Sequence, residues 1–205
     1  MGNSQANPSN RMAISALAEH MKITKPQLLE LRDACLTYTV RGDGEDPTLS
    51  TLSRRDFHKA MSEARVPKPD REILDGLFTM WDKVGDDRTD TMLFITGISP
   101  LASILDIETK LRFAFKVYDV DRSGVLTPGD MESIFAAINA TASYLGDAVM
   151  TSQQIEIVVE DVFKSPTSAM TKDTIVFDDH IDEIASHPMI VQFASCGGQM
   201  RYGSK

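Results

Sequence analysis

The sequence is poor in cysteine and in positive charge. Its two cysteines, Cys35 and Cys196, lie far apart in the chain and form no CxxC motif. This usage argues against a disulfide framework and favours a reducing compartment, so we expect a cytoplasmic protein. Basic residues number 21 against 30 acidic ones, and the formal net charge is −9. Because a phosphate backbone selects basic faces, we expect no nucleic-acid partner, and the charge suits cations or basic helices instead.

Long apolar runs and catalytic motifs are also absent. No run approaches the roughly 18 residues that span a bilayer, and the chain carries no secretory signal. The histidines are scattered, and there is no GxSxG, HExxH or glycine-rich phosphate loop. The acids around His180 (Asp178, Asp179 and Asp182) are interpreted as an exposed first helical turn, where acids complement the helix dipole. The sequence therefore predicts a protein that is not an enzyme.

Helical patterns dominate what the sequence does contain. Apolar residues recur at helical spacing in KPQLLELRDACLTY after Thr24, in SRRDFHKAMSEA from Ser53 and in DIETKLRFAFKVY. Polar stretches separate these segments, and a single β-favouring residue precedes each new helix, a rhythm that recurs about four times. The pattern predicts an all-α fold of helix–loop–helix units whose loops are paired by short β contacts.

One loop, DVDRSGVLTPGD at residues 119–130, has the ligand pattern of an EF-hand. Calcium needs about six to eight oxygen ligands, and a short loop can wrap it only if the ligands alternate along the chain. Gly124, at the sixth position, permits the sharp turn that a side chain would obstruct. An acidic surface turn would not require this order of residues. The candidate ligand residues, at loop positions 1, 3, 5, 7, 9 and 12, are Asp119, Asp121, Ser123, Val125 (through its carbonyl), Thr127 and Asp130.

The last ligand position holds Asp130 instead of the usual glutamate. The shorter side chain more easily offers one oxygen than two, which favours the six-coordination of magnesium over the larger coordination numbers that calcium accepts. We therefore expect Ca²⁺ to bind with modest affinity, and Mg²⁺ to be a competitor or the resident ion.

The other three loops are predicted to be degenerate. In the loop that begins at Asp82, Val84 replaces the third-position acid, Asp87 replaces the glycine and Leu93 replaces the final acid. The first loop is expanded, and the fourth is too long and lacks a ligand set. Such loops can persist for structural reasons, because EF-hands stabilise one another in pairs. The predicted β contacts are Leu52 with Thr89 and Leu126 with Ile175.

This pattern divides the chain into four parts. Residues 1–23 are predicted to be a flexible N-terminal leader, and residues 24–104 an EF-hand pair with two degenerate loops. Residues 105–195 are predicted to form a second pair, with an intact third loop and a degenerate fourth, and residues 196–205 a C-terminal tail.

The leader begins MGNSQA, which fits N-myristoylation of Gly2 in outline, although Ala6 stands where Ser or Thr is preferred. The alternative is an unmodified, disordered polar leader. A single myristoyl chain binds membranes only marginally, so an acylated Gly2 would give weak membrane association.

The stretch KLRFAFKVYDVDRSGVLTPGDMESIF resembles the third EF-hand of calcineurin B and its relatives. The expanded first loop with TLSRRDF, the second hand followed by ITGISPLAS, and the long link before the fourth hand are similar to calaxin, an EF-hand protein of ciliary outer dynein arms. The resemblance covers residues 24–195 and implies two EF-hand lobes that grip a helix of a larger protein. Calcineurin B has several acidic loops, and their absence here favours a one-site regulator or scaffold.

We therefore expect a calcium-binding regulatory protein that binds an amphipathic helix of a larger protein. The alternative is a constitutive, calcium-independent adaptor or a light-chain-like structural component of a ciliary or flagellar axonemal complex. The expected location is cytoplasmic, and the alternatives are membrane association through Gly2 and a ciliary or flagellar site.

Overall fold

Helices and a few short strands make up most of residues 13–41, 50–102, 106–164 and 174–195, the parts of the chain that this computed structural model describes. The elements of the first half are α1 (Ala13–His20), α2 (Lys25–Tyr38), β1 (Val40–Arg41), β2 (Ser50–Ser53), α3 (Arg54–Glu63), α4 (Lys68–Trp81), β3 (Arg88–Asp90), α5 (Thr91–Ile98) and a 3₁₀ turn (Ser99–Ala102). Those of the second half are α6 (Ile107–Tyr118), β4 (Val125–Leu126), α7 (Pro128–Tyr144), α8 (Ser152–Lys164), β5 (Ile175–Val176), α9 (Phe177–Ser186) and α10 (Pro188–Ser195). The predicted all-α fold with short paired β contacts is confirmed.

Side-chain caps explain where several of these helices begin. At the start of α2, the Thr24 hydroxyl accepts from the Gln27 N–H at 3.4 Å, and the Gln27 side chain accepts from the Thr24 N–H at 3.1 Å. This reciprocal capping box satisfies two of the N–H groups that a helix end leaves without partners. The Ser53 hydroxyl accepts from the Asp56 N–H at 3.2 Å at the start of α3. The two helices therefore begin where the sequence pattern predicts, after Thr24 and at Ser53.

The strands form two small antiparallel sheets, and each joins the loops of one lobe. In the first, β2 pairs with β3 and places Leu52 opposite Thr89. In the second, β4 pairs with β5 and places Leu126 opposite Ile175. Both predicted contacts are confirmed. The sequence did not predict β1, which adds a third strand to the first sheet by pairing with β2.

Each lobe has its own apolar core. In the N-terminal lobe, the rings of Phe57, Phe78 and Phe94 pack with centroid separations of 5.1 to 5.5 Å, and all three side chains are fully buried. In the C-terminal lobe, Phe115 of α6 stacks on Phe177 of α9 at 4.0 Å. Aromatic pairs at such distances add to the free energy of burying their surface, so each pair of hands is a packed unit.

The two lobes are packed against each other where α5 meets α7. The close approach occurs at Gly97, where an added Cβ would lie 2.6 Å from the carbonyl oxygen of Ala137. Beside it, the indole N–H of Trp81 donates to the Thr141 hydroxyl at 3.3 Å. Ala137 belongs to the same core cluster as the N-terminal aromatic residues. The helices that follow the second and third loops are therefore in direct contact.

The prediction of a flexible leader over residues 1–23 is wrong for residues 13–23. Helix α1 packs against the 3₁₀ turn and α7, and Ile14 is 4% exposed. The Ile14 N–H donates to the Asp147 carboxylate at 2.9 Å, and the Asp70 carboxylate accepts from the Lys22 N–H at 2.8 Å. The partners of this short segment lie far away in sequence, so no local pattern showed that it is packed. Residues 1–12 and the predicted tail, 196–205, lie outside the described parts of the chain.

None of the helices within the described ranges has both the length and the hydropathy that a membrane crossing requires.

Candidate metal centre

Helix α6 delivers the first candidate ligand, Asp119, to the loop at residues 119–130. Asp119 is the C-cap of α6, and its N–H donates to the Phe115 carbonyl at 2.8 Å. Its carboxylate turns back onto the loop, where Oδ1 accepts from the Ser123 N–H at 3.0 Å and Oδ2 accepts from the Gly124 N–H at 3.1 Å. Asp119 therefore closes the first half of the loop by accepting from its backbone.

Positive φ angles occur at the fourth and sixth loop positions. Arg122 has φ of 59° and Gly124 has φ of 68°. An added Cβ at Gly124 would meet nothing within 4 Å, so there is room for a side chain. Glycine is favoured there by the left-handed backbone conformation alone. This observation confirms that Gly124 makes the sharp turn predicted from the sequence.

The carboxylates of Asp119 and Asp121 converge on one donor. Both accept from the Ser123 N–H, at 3.0 and 3.2 Å, and the Ser123 hydroxyl donates to Asp119 Oδ1 at 3.1 Å. The bond from the Ser123 N–H, followed by hydrogen bonds with the Asp119 and Ser123 side chains, lowers the pKa of Asp121. Two acidic side chains and a hydroxyl thus meet on one side of the loop, and such oxygens are what Ca²⁺ and Mg²⁺ prefer.

Asp130 is held at the start of α7 by two different partners. Its Oδ2 accepts from the Thr127 N–H at 3.0 Å and from the Thr127 hydroxyl at 2.6 Å, while Thr127 Oγ1 accepts from the Asp130 N–H at 3.1 Å. Its Oδ1 accepts from the Tyr118 hydroxyl at 3.2 Å. Burial, followed by the negative charge of Asp130, raises the pKa of Tyr118, so this hydroxyl keeps its proton. One oxygen of Asp130 therefore caps a helix and the other is held by Tyr118.

An open cleft of about 370 Å³ brings most of the predicted ligand residues together. Its lining consists of Phe115, Tyr118, Asp119, Val120, Asp121, Ser123, Val125 and Asp130. Thr127, the remaining predicted ligand residue, is not among the lining residues. Five of the six predicted residues therefore face one space, which opens to solvent.

The carboxylates around this cleft do not form a ready-made cation cluster. No group of three histidine, cysteine, aspartate or glutamate side chains in the described ranges is close enough to hold a metal ion. Asp119 and Asp121 are already together, whereas Asp130 Oδ1 is turned to the Tyr118 hydroxyl. The donor set fits a hard cation, and the assignment of the six ligand residues stays a prediction.

The loop at residues 82–93 has the same backbone design without the same acids. The Asp82 carboxylate accepts from the N–H groups of Gly85, Asp86 and Asp87 at 2.8, 3.2 and 2.9 Å. Positive φ angles again occur at the fourth and sixth positions, 77° at Gly85 and 58° at Asp87. Val84, in the third position, is 85% exposed. This loop is closed by backbone hydrogen bonds and has no acid where the third ligand would stand.

An arginine from the neighbouring α3 braces this second loop. The Arg54 guanidinium donates to the Asp87 carboxylate at 2.7 Å and to the Asp75 carboxylate at 2.8 Å. Asp90 caps α5 by accepting from the Leu93 N–H at 2.8 Å, so its carboxylate too is in use. The acids of this loop therefore have structural partners.

The remaining predicted sites cannot be placed on the structure. Gly2 lies outside the described parts of the chain, as do residues 42–49 of the expanded first loop and residues 165–173 of the fourth. The degenerate character of these two loops and the acylation of Gly2 stay predictions.

Two side chains near the loop could not be identified from sequence spacing. The bond from Tyr118 to Asp130 joins residues 12 positions apart, and the guanidinium of Arg32 reaches the last turn of α6 from α2. The one sequence signal for Arg32 was its position in α2, four residues after Leu28 and beside Leu31, which places it on the buried face of the helix. A charged residue on a buried face needs a partner, and the sequence did not identify that partner.

Comparison with known proteins shows that the chain is similar over part of its length to several of them, one of which is a calcium-binding protein. No protein-family model matches the chain, and no solved structure matches it significantly. It is 31% identical over 94 residues to the calcium-binding protein NCSA of Dictyostelium discoideum, a match of 46% of this chain and 49% of the relative. It is 38% identical over 81 residues to the type 2 calcineurin B protein of Homo sapiens, covering 40% of this chain and 45% of the relative. It is 28% identical over 118 residues to the guanylyl cyclase inhibitory protein of Lithobates pipiens, covering 55% of this chain and 57% of the relative. The chain spans about half the length of these relatives.

Proposed function

We propose that this chain is an EF-hand protein of the calcineurin B-like kind and a calcium-binding regulatory protein, as its similarity to such proteins suggests. We place its competent metal site in the loop at residues 119–130. The observation that carries the proposal is the convergence of Asp119 and Asp121 on the Ser123 N–H, in a loop whose backbone is already closed. Calcium or magnesium, when bound, would supply the positive charge that these oxygens share.

Asp119, Asp121, Ser123, Val125, Thr127 and Asp130 would hold the ion. Asp119 would give up its bond from the Ser123 hydroxyl, and Asp130 would exchange the Tyr118 hydroxyl for the ion. The other oxygen of Asp130 would stay in the capping box with Thr127. Because one oxygen remains with the helix cap, Asp130 offers a single ligand. This division supports modest calcium affinity with competition by magnesium.

The two ends of the loop belong to different helices, which makes the site a device for changing their angle. Asp119 ends α6, and Asp130 lies in the first turn of α7. Drawing the two carboxylates toward one point would rotate α6 relative to α7 and alter the apolar surface between them. A small apolar cavity already lies there, lined by residues of both helices and of α9, including Leu111, Phe115, Phe135 and Ile184.

We propose that the partner is an amphipathic helix of a larger protein. The net charge of −9 suits a helix with a basic polar face, and apolar anchors of such a helix fit an opened groove between α6 and α7. One of the relatives, calcineurin B, is described by its name as a subunit, and so as part of a larger assembly.

A constitutive adaptor is the second candidate function. Two observations favour it: the loop at residues 82–93 is closed by Asp82 without acids at its third and last positions, and α5 packs tightly on α7 at Gly97. Such a molecule would hold its partner at every calcium level, as a light chain does. The ciliary or flagellar location proposed for this case is supported by the calaxin-like sequence features alone.

Titration calorimetry with calcium, with and without excess magnesium, tests the proposed site. We expect one calcium ion to bind with an affinity that magnesium reduces, because Asp130 supplies one oxygen. Tight calcium binding that excess magnesium leaves unchanged would contradict the assignment of Asp130, and the absence of any binding would reject the proposed function.

The partner is tested by capture from a lysate with and without calcium, together with binding of a hydrophobic dye to the isolated protein. The regulator predicts calcium-dependent dye binding and calcium-dependent capture. A flat response over physiological calcium would favour the adaptor.

We also propose that Gly2 is N-myristoylated and gives weak membrane association. The support is the MGNS start of the sequence. Intact-mass measurement of the protein from eukaryotic cells, beside Gly2→Ala, tests it: equal masses apart from the substitution would reject acylation.

A further inference from the structure

Arg32 is a buried cation whose donors are divided between its neighbour and a distant helix. It lies in α2 of the N-terminal lobe and is 7% exposed. Its Nε and Nη2 lie 2.8 and 2.7 Å from Asp33 Oδ1. Its Nη1 donates to the carbonyl oxygens of Lys116 at 2.9 Å and Val117 at 3.3 Å. Arg32 and Lys116 are 84 positions apart in the sequence. A buried guanidinium that binds the carbonyls of a helix so distant in sequence indicates a specific role in positioning that helix.

These two carbonyls belong to the last turn of α6, directly before Asp119. The last carbonyls of a helix lack intrahelical donors. Here the N–H of Val120 donates to the Tyr118 carbonyl, so it does not continue the helical pattern to Lys116. Arg32 supplies the missing donors, and its positive charge is favourable at the C-terminal end of a helix. The place where α6 ends is therefore set from the other lobe.

Other contacts hold the same helix to α2. Phe113 and Val117 of α6 are buried in the core of the N-terminal lobe. The Lys25 ammonium lies 5.4 Å from the centroid of the Phe113 ring. Lys25 and Arg32 thus reach two successive turns of α6 from one helix. The C-terminal half of the helix that leads into the metal loop is therefore held by the N-terminal lobe.

We propose that Arg32 is a positioning residue for the metal loop, through which the N-terminal lobe sets the cation affinity of Asp119 and its neighbours. This inference rests on the proposed function. Arg32 does not touch the cation cleft, and it acts by fixing the end of α6 from which Asp119 projects. The N-terminal lobe, whose loop at residues 82–93 lacks a ligand set, thereby adjusts the cation affinity of the loop at residues 119–130.

The sign of the effect follows from two opposing terms. Removing a positive charge near the site would reduce repulsion of the incoming cation. That charge is already paired with the Asp33 carboxylate, which reduces its effect on the site. Removing the hydrogen bonds leaves the last turn of α6 without donors and frees Asp119 to move. We therefore expect loss of position to dominate and the affinity to fall.

The test is calorimetric calcium titration of the full chain in four forms: wild type, Arg32→Met, Arg32→Lys and Arg71→Met. Arg32→Met keeps the apolar stem and should weaken calcium binding by about tenfold, the scale of outer-shell substitutions at metal sites. The calcium affinity of Arg32→Lys should lie between those of the wild type and Arg32→Met. An ammonium can reach one carbonyl but cannot span the carbonyls and Asp33 together.

Arg71 provides the matched control. Its Nε donates to the Val66 carbonyl at 2.8 Å and its Nη1 donates to the Ser62 hydroxyl at 3.1 Å, both within the N-terminal lobe. Arg71→Met should lower the unfolding midpoint in urea as Arg32→Met does, and leave the calcium affinity unchanged. Equal losses of affinity in the two variants would overturn the proposal, because destabilisation alone would then explain the loss.

The remaining outcomes separate this inference from the proposed function. If the wild type takes up no calcium or magnesium, both fail. If the wild type binds and the Arg32 variants bind as tightly, only the role of Arg32 fails. Circular dichroism verifies folding, and if Arg32→Met does not fold, Arg32→Lys decides: weakened binding supports the proposal and unchanged binding overturns it.

Discussion

The loops at residues 82–93 and 119–130 follow the same backbone course, yet only the second carries acids at its third and last positions. In both, the first aspartate accepts from the N–H of the sixth residue, Asp82 from Asp87 at 2.9 Å and Asp119 from Gly124 at 3.1 Å. In both, the fourth and sixth residues have positive φ, although glycine occupies the fourth position in one and the sixth in the other. The shape of such a loop therefore depends on its first aspartate and two left-handed residues, and the ability to hold a cation is a separate property.

The largest expected effect comes from removing the first aspartate of each loop. Asp119→Ala should lower calcium affinity by about 100-fold or more, because even outer-shell substitutions cost about 10- to 100-fold. Asp82→Ala removes the corresponding hydrogen bonds of the other loop and should lower the melting temperature without changing calcium affinity. Calorimetry and thermal melts measure both quantities. Loss of calcium binding in Asp82→Ala would show that the two loops are not separable.

The junction between the helices that follow these loops gives the next largest effect. Gly97→Ala places a Cβ 2.6 Å from the Ala137 carbonyl and from the Trp81 ring, and should destabilise the protein by about 1–3 kcal/mol. The control is Gly76→Ala in α4, where a Cβ meets nothing within 4 Å and helix propensity should stabilise by up to about 1 kcal/mol. Urea unfolding followed by the fluorescence of Trp81, the one tryptophan in the sequence, measures both. Equal stability of the two variants would contradict the close packing of α5 on α7.

Changing the final acid tests why the third loop differs from an ordinary calcium loop. Asp130→Glu offers the ion a second oxygen and should raise calcium affinity by about tenfold, equivalent to about 1.4 kcal/mol, and weaken the competition by magnesium. In the other loop, Val84→Asp restores an acid at an exposed third position and should still create no site, because Leu93 ends the loop. Unchanged magnesium competition in Asp130→Glu, or a new site in Val84→Asp, would contradict this account of the ligands.

The smallest effect is expected at the sixth position. Gly124→Ala forces a side chain into left-handed backbone and should cost about 1 kcal/mol of stability. Asp87→Gly relieves the same strain in the other loop but removes one of the two carboxylates that pair with Arg54, so the net change should stay within about 0.5 kcal/mol. Urea unfolding of the two variants compares the positions. A Gly124→Ala protein as stable as wild type would show that the turn tolerates a side chain.

Local patterns predicted much of the fold and five of the residues that line the cleft. The caps at Thr24 and Ser53 and the turn at Gly124 depend on interactions among residues a few positions apart, which spacing reveals. The pairing of Leu126 with Ile175 followed from the fixed β position in each loop. The helix at Ala13–His20 was missed because the surfaces that bury it belong to α7 and the 3₁₀ turn.

The sequence by itself determined the helix–loop–helix units, the register in which their loops pair, and the order of oxygen-bearing residues from Asp119 to Asp130. Each of these follows from hydrogen bonds and periodicities within a short stretch of chain. Only the tertiary structure decided what surrounds that order: the hydroxyl of Tyr118 on Asp130, the guanidinium of Arg32 at the end of α6, and the close approach at Gly97. These contacts depend on where whole helices come to lie against one another. That placement results from burying apolar faces across both lobes, which no single segment encodes.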